Sequence, residues 1–378
     1  MGGTNSPTAG RRYRRARRLR QEKRGVVAVI GTLLALLVFF ALFGIFLTQY
    51  VPLWMTDNES LLVAQSSTSF ATFKSIVDQQ YALGGPQTVG TPFAISSQSV
   101  PLIAQPTEGS LVFLPNSCPG AGGVPFYTSG GIEGGNGAGS NATKQYGQPV
   151  TPTYCAFANI TESVGPGGYT NYGQTIATGS LQLVLPNRYY TPETFYFEDD
   201  GVIQSQSVGY QVMAFPPPLN ISTVGLSSTP GAGNVTVTDS LLQLYGNASS
   251  VVGQGSEEVY SELKYTNLQT SNGGGKSFNF TFELGTQYPC AWDPYLYSVL
   301  TQSGLPQGTT ASIKAGTSSY LPTAWFSGHQ SYPLTKTYSG SCFNTNGATT
   351  ILAFTLFNID YAQVYVGGVQ VTLGVGAT

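Results

Sequence analysis

Residues 26–47 form an unbroken apolar run, VVAVIGTLLALLVFFALFGIFL, with no charge and a single hydroxyl at Thr32. At 1.5 Å per residue, a helix of this length crosses the roughly 30 Å hydrocarbon core of a bilayer. The run is longer than the apolar region of a cleaved secretory signal, and it exits into Gln49-Tyr50-Val51-Pro52-Leu53-Trp54 without a small-x-small cleavage site. The pattern predicts a transmembrane helix over 26–48, with Tyr50 and Trp54 as interfacial anchors. Pro52 is expected to end or kink that helix. Thr56-Asp57-Asn58-Glu59 fits the capping box that starts a second one. Leu62, Phe70, Phe73, Val77 and Tyr81 then recur at spacings close to multiples of 3.6, which makes one apolar face. Gly84-Gly85-Pro86 stops the pattern. The reading is a juxtamembrane amphipathic helix over 49–84, its stripe packed on its own β domain or on neighbouring subunits.

From residue 85 the period shortens. Runs rich in Val, Tyr, Phe and Thr alternate with Gly, Pro and Asn-Ser clusters, the pattern of a sandwich-like β region. Strands are expected over 109–115, 179–186, 194–198, 207–215, 234–245, 257–268, 276–284, 350–357 and 361–373. GSLVFLPN (109–116) is echoed by GSLQLVLPN (179–187), a repeated strand-to-turn unit. Residues 119–150, centred on GGIEGGNGAGSN, read as a flexible loop. Asp293-Pro294 is expected to cap one helix over 293–303. Pro216-Pro217-Pro218 marks a stiff passage and a boundary between two β subdomains, 85–215 and 216–378. The fold class is therefore mainly β with a long N-terminal helix.

Charge sharpens the topology. Nine of the 16 Lys and Arg residues are Arg11, Arg12, Arg14, Arg15, Arg17, Arg18, Arg20, Lys23 and Arg24, with Glu22 the single acid among them. Such a block beside a membrane helix stays cytoplasmic, so residues 1–25 read as a cytoplasmic leader and everything after residue 50 as extracellular. Nucleic-acid or anionic-lipid binding by the block is the alternative, but no folded module accompanies it, and nucleic acid is not expected as a partner. The rest of the chain is sparsely charged and acidic, and its polarity comes from Ser, Thr, Asn, Gln and Tyr, punctuated by 47 Gly and 23 Pro. Few carboxylates leave little pH-dependent stability to lose, which suits an acidic medium.

The segment Lys23-Arg24-Gly25-Val26-Val27-Ala28-Val29-Ile30-Gly31-Thr32 resembles the N-terminus of archaeal type IV pilin-like proteins. Their class III signal is a basic stretch ending in a small residue, followed directly by the hydrophobic helix, typically with Val-Ile-Gly near its start. The resemblance implies cleavage by a prepilin peptidase between Gly25 and Val26. Val51 to Glu59 and Phe73-Lys74-Ser75-Ile76-Val77-Asp78 look like the juxtamembrane helix of large archaeal pilin-like surface proteins. Asn187-Arg188-Tyr189-Tyr190 through Phe195-Tyr196-Phe197-Glu198 and the Ala291-Trp292 helix are similar to parts of the same proteins. The likeness covers the first 85 residues best. It implies a structural or adhesive cell-surface subunit whose apolar helix is membrane anchor and filament core, with self-assembly or other pilin-like subunits as partners besides the lipid membrane. Two departures bear on assembly: the fifth mature position, often Glu in such proteins, is Ile30, and Pro52 interrupts what is often a continuous helix. The alternative is a permanently signal-anchored, non-polymerising surface protein, a surface-layer component or a binding or adhesion receptor.

Four cysteines, Cys118, Cys155, Cys290 and Cys342, lie on the outer side and read as two disulfides, with three pairings open. Cys118–Cys155 and Cys290–Cys342 are favoured because each closes a loop within one apparent subdomain. Their spacing contains no C-x₂₋₄-C knuckle for zinc. Sequons at Asn58, Asn141, Asn159, Asn220, Asn234, Asn247 and Asn279 are candidate glycosylation sites. Catalytic and metal constellations are not expected. His329 is the single histidine and has no G-x-S-x-G partner. Thr270 to Ser277 ends like a P-loop but lies between two strand patterns and reads as a hairpin turn. Glu198-Asp199-Asp200 and Glu257-Glu258 could hold Ca²⁺, but no EF-hand-type loop is present, and a solvated turn and a strand edge account for them. The expectation is a non-enzyme without cofactor or metal.

Overall fold

The computed structural model describes residues 29–99, 104–115, 157–164, 168–177, 179–206, 210–224, 234–272, 278–286, 288–302, 310–317, 330–331, 350–359 and 361–374. A single helix, α1, runs over Val29–Leu83. Pro52 neither ends nor visibly restarts it. A π-helical turn at Phe46–Tyr50 precedes the proline, and the Val51 N–H reaches back to the Phe46 carbonyl. A wider turn of this kind relieves the clash and the missing hydrogen bond that proline imposes on a regular helix. The expected capping box is absent accordingly. Thr56 Oγ1 donates to the Pro52 carbonyl at 2.9 Å, a bond along the helix wall. The far end stops where the sequence places it: Gly84 adopts φ +65° and its N–H closes on the Gln80 carbonyl at 3.0 Å, the left-handed cap glycine favours.

The described residues divide into two units, Met1–Asp57 with Ser99–Gln105, and Asn58–Gln98 with Pro106–Thr378. Described residues of the first unit are chiefly the N-terminal part of α1. The second holds seventeen described strands and a short helix. In chain order the strands are β1 (Thr88–Ala94), β2 (Gly109–Leu114), β3 (Phe157–Val164), β4 (Gly168–Ala177), β5 (Ser180–Leu185), β6 (Glu193–Glu198), β7 (Gly201–Gln206), β8 (Gln211–Phe215) and β9 (Asn220–Val224). They continue with β10 (Asn234–Tyr245), β11 (Ser249–Gly253), β12 (Ser256–Asn272), β13 (Phe278–Thr286), β14 (Thr310–Thr317), β15 (Gln330–Ser331), β16 (Thr350–Ile359) and β17 (Tyr361–Leu373). Helix α2 (Pro289–Gln302) begins four residues before the expected Asp293-Pro294 cap. Its first turn is closed by the Ala291 N–H on the Tyr288 carbonyl, and Thr286 Oγ1 accepts from the Tyr288 N–H.

Three sheets result, in the orders β1-β12-β17-β10-β9, β11-β2-β5-β6-β7-β8 and β15-β14-β16-β13-β3-β4. All pairings but β10–β17, which is parallel, are antiparallel. The echoed segments are β2 and β5, neighbours paired from Ser110↔Val184 to Leu114↔Ser180. The pairs β1–β12, β2–β11 and β3–β13 all cross Pro216-Pro217-Pro218 in sequence, so this passage does not separate one sheet system from another. β12 and β13 flank the glycine-rich 273–277 but belong to different sheets. The expected hairpin is therefore a crossover, and 273–277 themselves lie outside the described residues.

Two apolar cores use these sheets. One gathers Leu62, Phe70, Phe73 and Val77 of α1 with Phe93, Leu111, Phe113, Leu181, Phe195, Phe197, Leu244, Val369 and Val371. Phe70 meets Phe93 edge-on at 5.0 Å between centroids, and Phe73 meets Phe197 likewise at 5.0 Å, a geometry that adds to burial. The other joins Val237, Leu241, Phe282, Leu284, Trp292, Leu296, Leu300, Val364 and Val366. β17 serves both because its buried parity changes at Gly367-Gly368. The missing side chains there admit two aromatic rings: a Cβ on Gly367 would overlap the hydroxyl and ring of Tyr81 from α1, and one on Gly368 would overlap Tyr265. Tyr81 also donates to the Leu241 carbonyl at 3.1 Å. Gly367→Ala is accordingly expected to cost about 2–3 kcal/mol through displacement of Tyr81. Chemical denaturation checks this, and Tyr81→Phe/Gly367→Ala should recover none of the loss, because the ring itself is in the way.

Candidate functional site

The candidate functional element is α1. In its first part, Leu33, Leu34, Leu36, Leu37, Val38, Phe39, Phe40, Leu42 and Leu53 are all exposed, several by 60% or more, and Trp54 and Tyr50 join them. From Val29 to Tyr50 no residue of this helix is buried among the described residues, and an exposed surface that is apolar all round is compatible with an apolar environment. Its two threonine hydroxyls are satisfied for such a medium: Thr32 Oγ1 donates to the Val29 carbonyl and Thr48 Oγ1 to the Gly44 carbonyl, both at 2.9 Å. Among the described residues this is the one helix long and apolar enough to cross a membrane.

From Asn58 onward, inside the second unit, α1 is held by two polar anchors as well as by its aromatic stripe. The first is Glu59, fully buried. Its Oε1 accepts from the Arg188 N–H at 3.0 Å and from Thr107 Oγ1, and its Oε2 from the Tyr189 and Tyr190 N–H groups, both at 2.7 Å. Three consecutive amides thus converge on one carboxylate, an anion nest built by the loop between β5 and β6. Asn187 braces the loop, its Nδ2 donating to the Thr191 carbonyl at 2.8 Å.

The second anchor is a group of buried carboxyls. Asp199 and Asp200 are the two central residues of the β6–β7 hairpin, with φ of 45° and 59°. Positive φ at both positions is the type I′ geometry that matches strand twist. In residues other than glycine it carries strain, and it turns both side chains inward here instead of into solvent. The solvated turn expected of Glu198-Asp199-Asp200 is therefore corrected: all three are buried. β9 pairs with β10 only as far as Thr238, and beyond that point Asp199 Oδ1 takes the Leu242 N–H at 3.2 Å. Asp200 Oδ2 meets Lys74 Nζ of α1 at 3.1 Å, and Lys74 also reaches Asp78 at 3.2 Å. Glu198 accepts from Trp292 Nε1 at 2.8 Å and from Thr286 Oγ1. Asp239, on β10, accepts from the Ser240 N–H at 2.9 Å, while its Oδ2 and Asp200 Oδ1 are buried without a hydrogen-bond partner.

Burial pushes these carboxyls up. Asp239 rises to about 7, the Ser240 N–H only partly opposing the loss of water. Asp200 rises to about 8, with burial outweighing the Lys74 ammonium. Asp199 rises well above the usual range, first from burial and then from the neighbouring Asp239 charge. Tyr81 is raised by burial and by Asp200. The described residues contain no group of three or more ligating side chains placed to hold a metal.

The other sequence-derived sites fare unevenly. Gly25, Val26 and the basic run lie outside the described residues, as do Cys118, Cys155, Cys342, His329, Asn141 and the 119–150 loop. Cys290 stands in the first turn of α2, its N–H on Gln211 Oε1 at 3.3 Å. Asn220 at the edge strand β9 and Asn247 after β10 are exposed, as a glycan acceptor requires. Asn58 is instead engaged, donating to the Gln98 carbonyl at 3.1 Å. Asn159, Asn234 and Asn279 stand in β3, β10 and β13. Glu257 and Glu258 lie on β12, which is paired on both sides by β1 and β17 and is not an edge. Glu59 and Asp239 were not singled out by pattern as anchors. The available signal was a carboxylate in register with the apolar stripe of a helix, as Glu59 is three residues before Leu62, or in the middle of a strand, as Asp239 is between the buried Val237 and Leu241. Comparison with protein-family models, curated proteins and solved structures finds no match to this chain.

Proposed function

We propose that this chain is an archaeal type IV pilin-like cell-surface subunit, with the basic N-terminus cytoplasmic and the β region outside. The observation that carries the reading is α1: one unbroken helix whose first part is apolar on every side and whose later part is pinned into a β region by Phe70, Phe73, Glu59 and Lys74. Such a helix can sit in lipid before assembly and against its own kind afterwards, because both surroundings present the same apolar contacts. The basic block of nine Lys and Arg residues within 11–24 supports the orientation. The extension of α1 through Pro52 removes one of the two departures from the pilin pattern. Ile30 at the fifth mature position remains, and it favours the second reading, a permanently anchored surface protein that does not polymerise.

The deciding measurement is the N-terminal residue of the mature protein, taken from membranes and from sheared surface material. A chain beginning at Val26 and present in both fractions is expected. A chain that retains Arg11 to Arg24 and occurs in membranes alone would establish the permanent anchor.

A further inference from the structure

Lys74 carries a nucleophilic amine in a place sheltered from water. Its side chain is 12% exposed, and Nζ lies 3.1 Å from Oδ2 of Asp200, whose side chain is 5% exposed. The pair joins α1 to the β6–β7 turn. Among the described residues, the ion pair Lys264–Glu262 is the contrast: its side chains are 36% and 26% exposed, and it links near neighbours on one strand, an ordinary solvated contact.

Three features set Lys74 and Asp200 apart. Both are held in place, Lys74 between the buried Phe73 and Val77, and Asp200 in a turn at φ 59°. A second carboxylate, Asp78, stands one helical turn beyond Lys74 and engages both groups. It accepts from Nζ at 3.2 Å and acts on Asp200 by charge and by hydrogen bonding. Finally, burial favours the neutral acid at Asp200, which is pushed up to about 8. A proton passing from ammonium to carboxylate across the contact then leaves an uncharged amine against an uncharged acid.

An amine and a carboxylic acid held in contact are the reactants of an amide. Condensation is unfavourable between free molecules in water, but fixed groups in contact reach effective molarities of about 10⁵ M or more. We propose that Lys74 and Asp200 form an intramolecular isopeptide bond that fastens α1 covalently to the β6–β7 turn. Nζ attacks Cγ of Asp200, and a C–N bond forms. Asp78 takes the proton that the amine gives up and passes it to the departing hydroxyl, so a C–O bond breaks and one water leaves. No oxidant, reductant or further reactant enters. The Asp78 side chain is 47% exposed, which gives the released water a way out. Before the bond forms, Asp200 titrates with its neighbours; afterwards Asp199 and Asp239 do so alone. The bond is independent of whether α1 spans a membrane or assembles with other copies.

The test is a peptide map of the full chain, purified in detergent, reduced and digested with pepsin. Mass spectrometry is expected to find a linked pair of peptides containing Lys74 and Asp200, lighter than the two linear peptides together by one water, about 18 Da. The linked form should exceed the linear ones about tenfold. Asp200→Ala should give the linear Lys74 peptide alone. Asp200→Asn should give the same linked product as the parent, with ammonia leaving in place of water. Asp78→Asn should lose most of the link. A linear Lys74 peptide from a parent chain that melts cooperatively in circular dichroism would overturn the proposal, and this outcome needs no variant to fold. Full linkage in Asp78→Asn would overturn the proton relay assigned to Asp78.

Discussion

Replacing Asp239 by Asn raises the thermal stability of the chain near pH 8 and leaves it nearly unchanged near pH 4. Asp239 is 3% exposed and its carboxyl is displaced upward from 3.8 to about 7. A group whose folded value exceeds its unfolded value is favoured protonated in the fold. Its stabilisation is therefore complete below about pH 4 and is lost as the pH climbs through about 7. The displacement corresponds to about 4 kcal/mol at full ionisation, an upper figure because the site can relax or admit water. Asn is neutral at every pH and keeps an oxygen for the Ser240 N–H. Like the protonated acid, it leaves one polar atom in the place of the unpartnered Oδ2. The two side chains are thus equivalent in acid and part company above it. At the alkaline end the melting temperature of the variant should exceed that of the parent by about 5 °C or more, read from the strand signal in circular dichroism of the full chain in detergent. Equal destabilisation of the variant at both pH values would mean that Asp239 serves the fold as an ion.

The same argument applies, with the same sign, to Asp199 and Asp200, which crowd the region from the β6–β7 turn. Lys74 and Asp78 face them from α1, with Tyr81 on the same helix, Tyr265 on β12 and Tyr295 on α2. The Lys74 ammonium works against the trend at Asp200, and burial outweighs it. An acid-stable surface protein is expected from the sequence on the ground that few carboxylates exist to be lost. The fold adds a second and stronger ground: some of those that do exist are buried where protonation helps.

How much of this was legible depends on the length scale over which each feature is written. β10 and β17 were bounded correctly because period-2 alternation of Val, Leu and Tyr over ten or more residues is a local signal. Gly84 was legible because only glycine takes the left-handed cap cheaply. β7 and β9 were missed; each is five or six residues long, and Gly201 and the prolines before Asn220 read as punctuation. Pro52 misled because its penalty is local while its remedy, the π turn at Phe46–Tyr50, lies in the preceding turn. Glu59 and Asp199-Asp200 misled for a different reason. A carboxylate is read as solvated unless its partners are known, and the partners are 48 to 131 positions away for Glu59 and 43 for Asp199. Long-range satisfaction of a buried polar group leaves no local pattern.

Glu59 is the position where that distinction has the largest consequence. Glu59→Ala removes the acceptor for three consecutive amides and the Thr107 hydroxyl at once, in a place where the carboxylate is fully buried. Water entering the cavity can satisfy some of them, so the loss is expected near 3–5 kcal/mol instead of the larger sum of separate bonds. Glu59→Gln separates charge and geometry from simple space filling. Its carbonyl can serve one side of the nest, but its amide then presents N–H groups to a position where two N–H donors already converge. The glutamine variant should consequently lose about 2–3 kcal/mol although its volume is almost unchanged. Amide hydrogen exchange gives the sharper readout. In both variants the amides of Arg188, Tyr189 and Tyr190 should exchange far faster, while those of β5 and β6 on either side stay protected until global unfolding. Uniform acceleration across β5 and β6 would instead show that Glu59 supports the sheet as a whole, and that the loop owes its place to something other than the carboxylate.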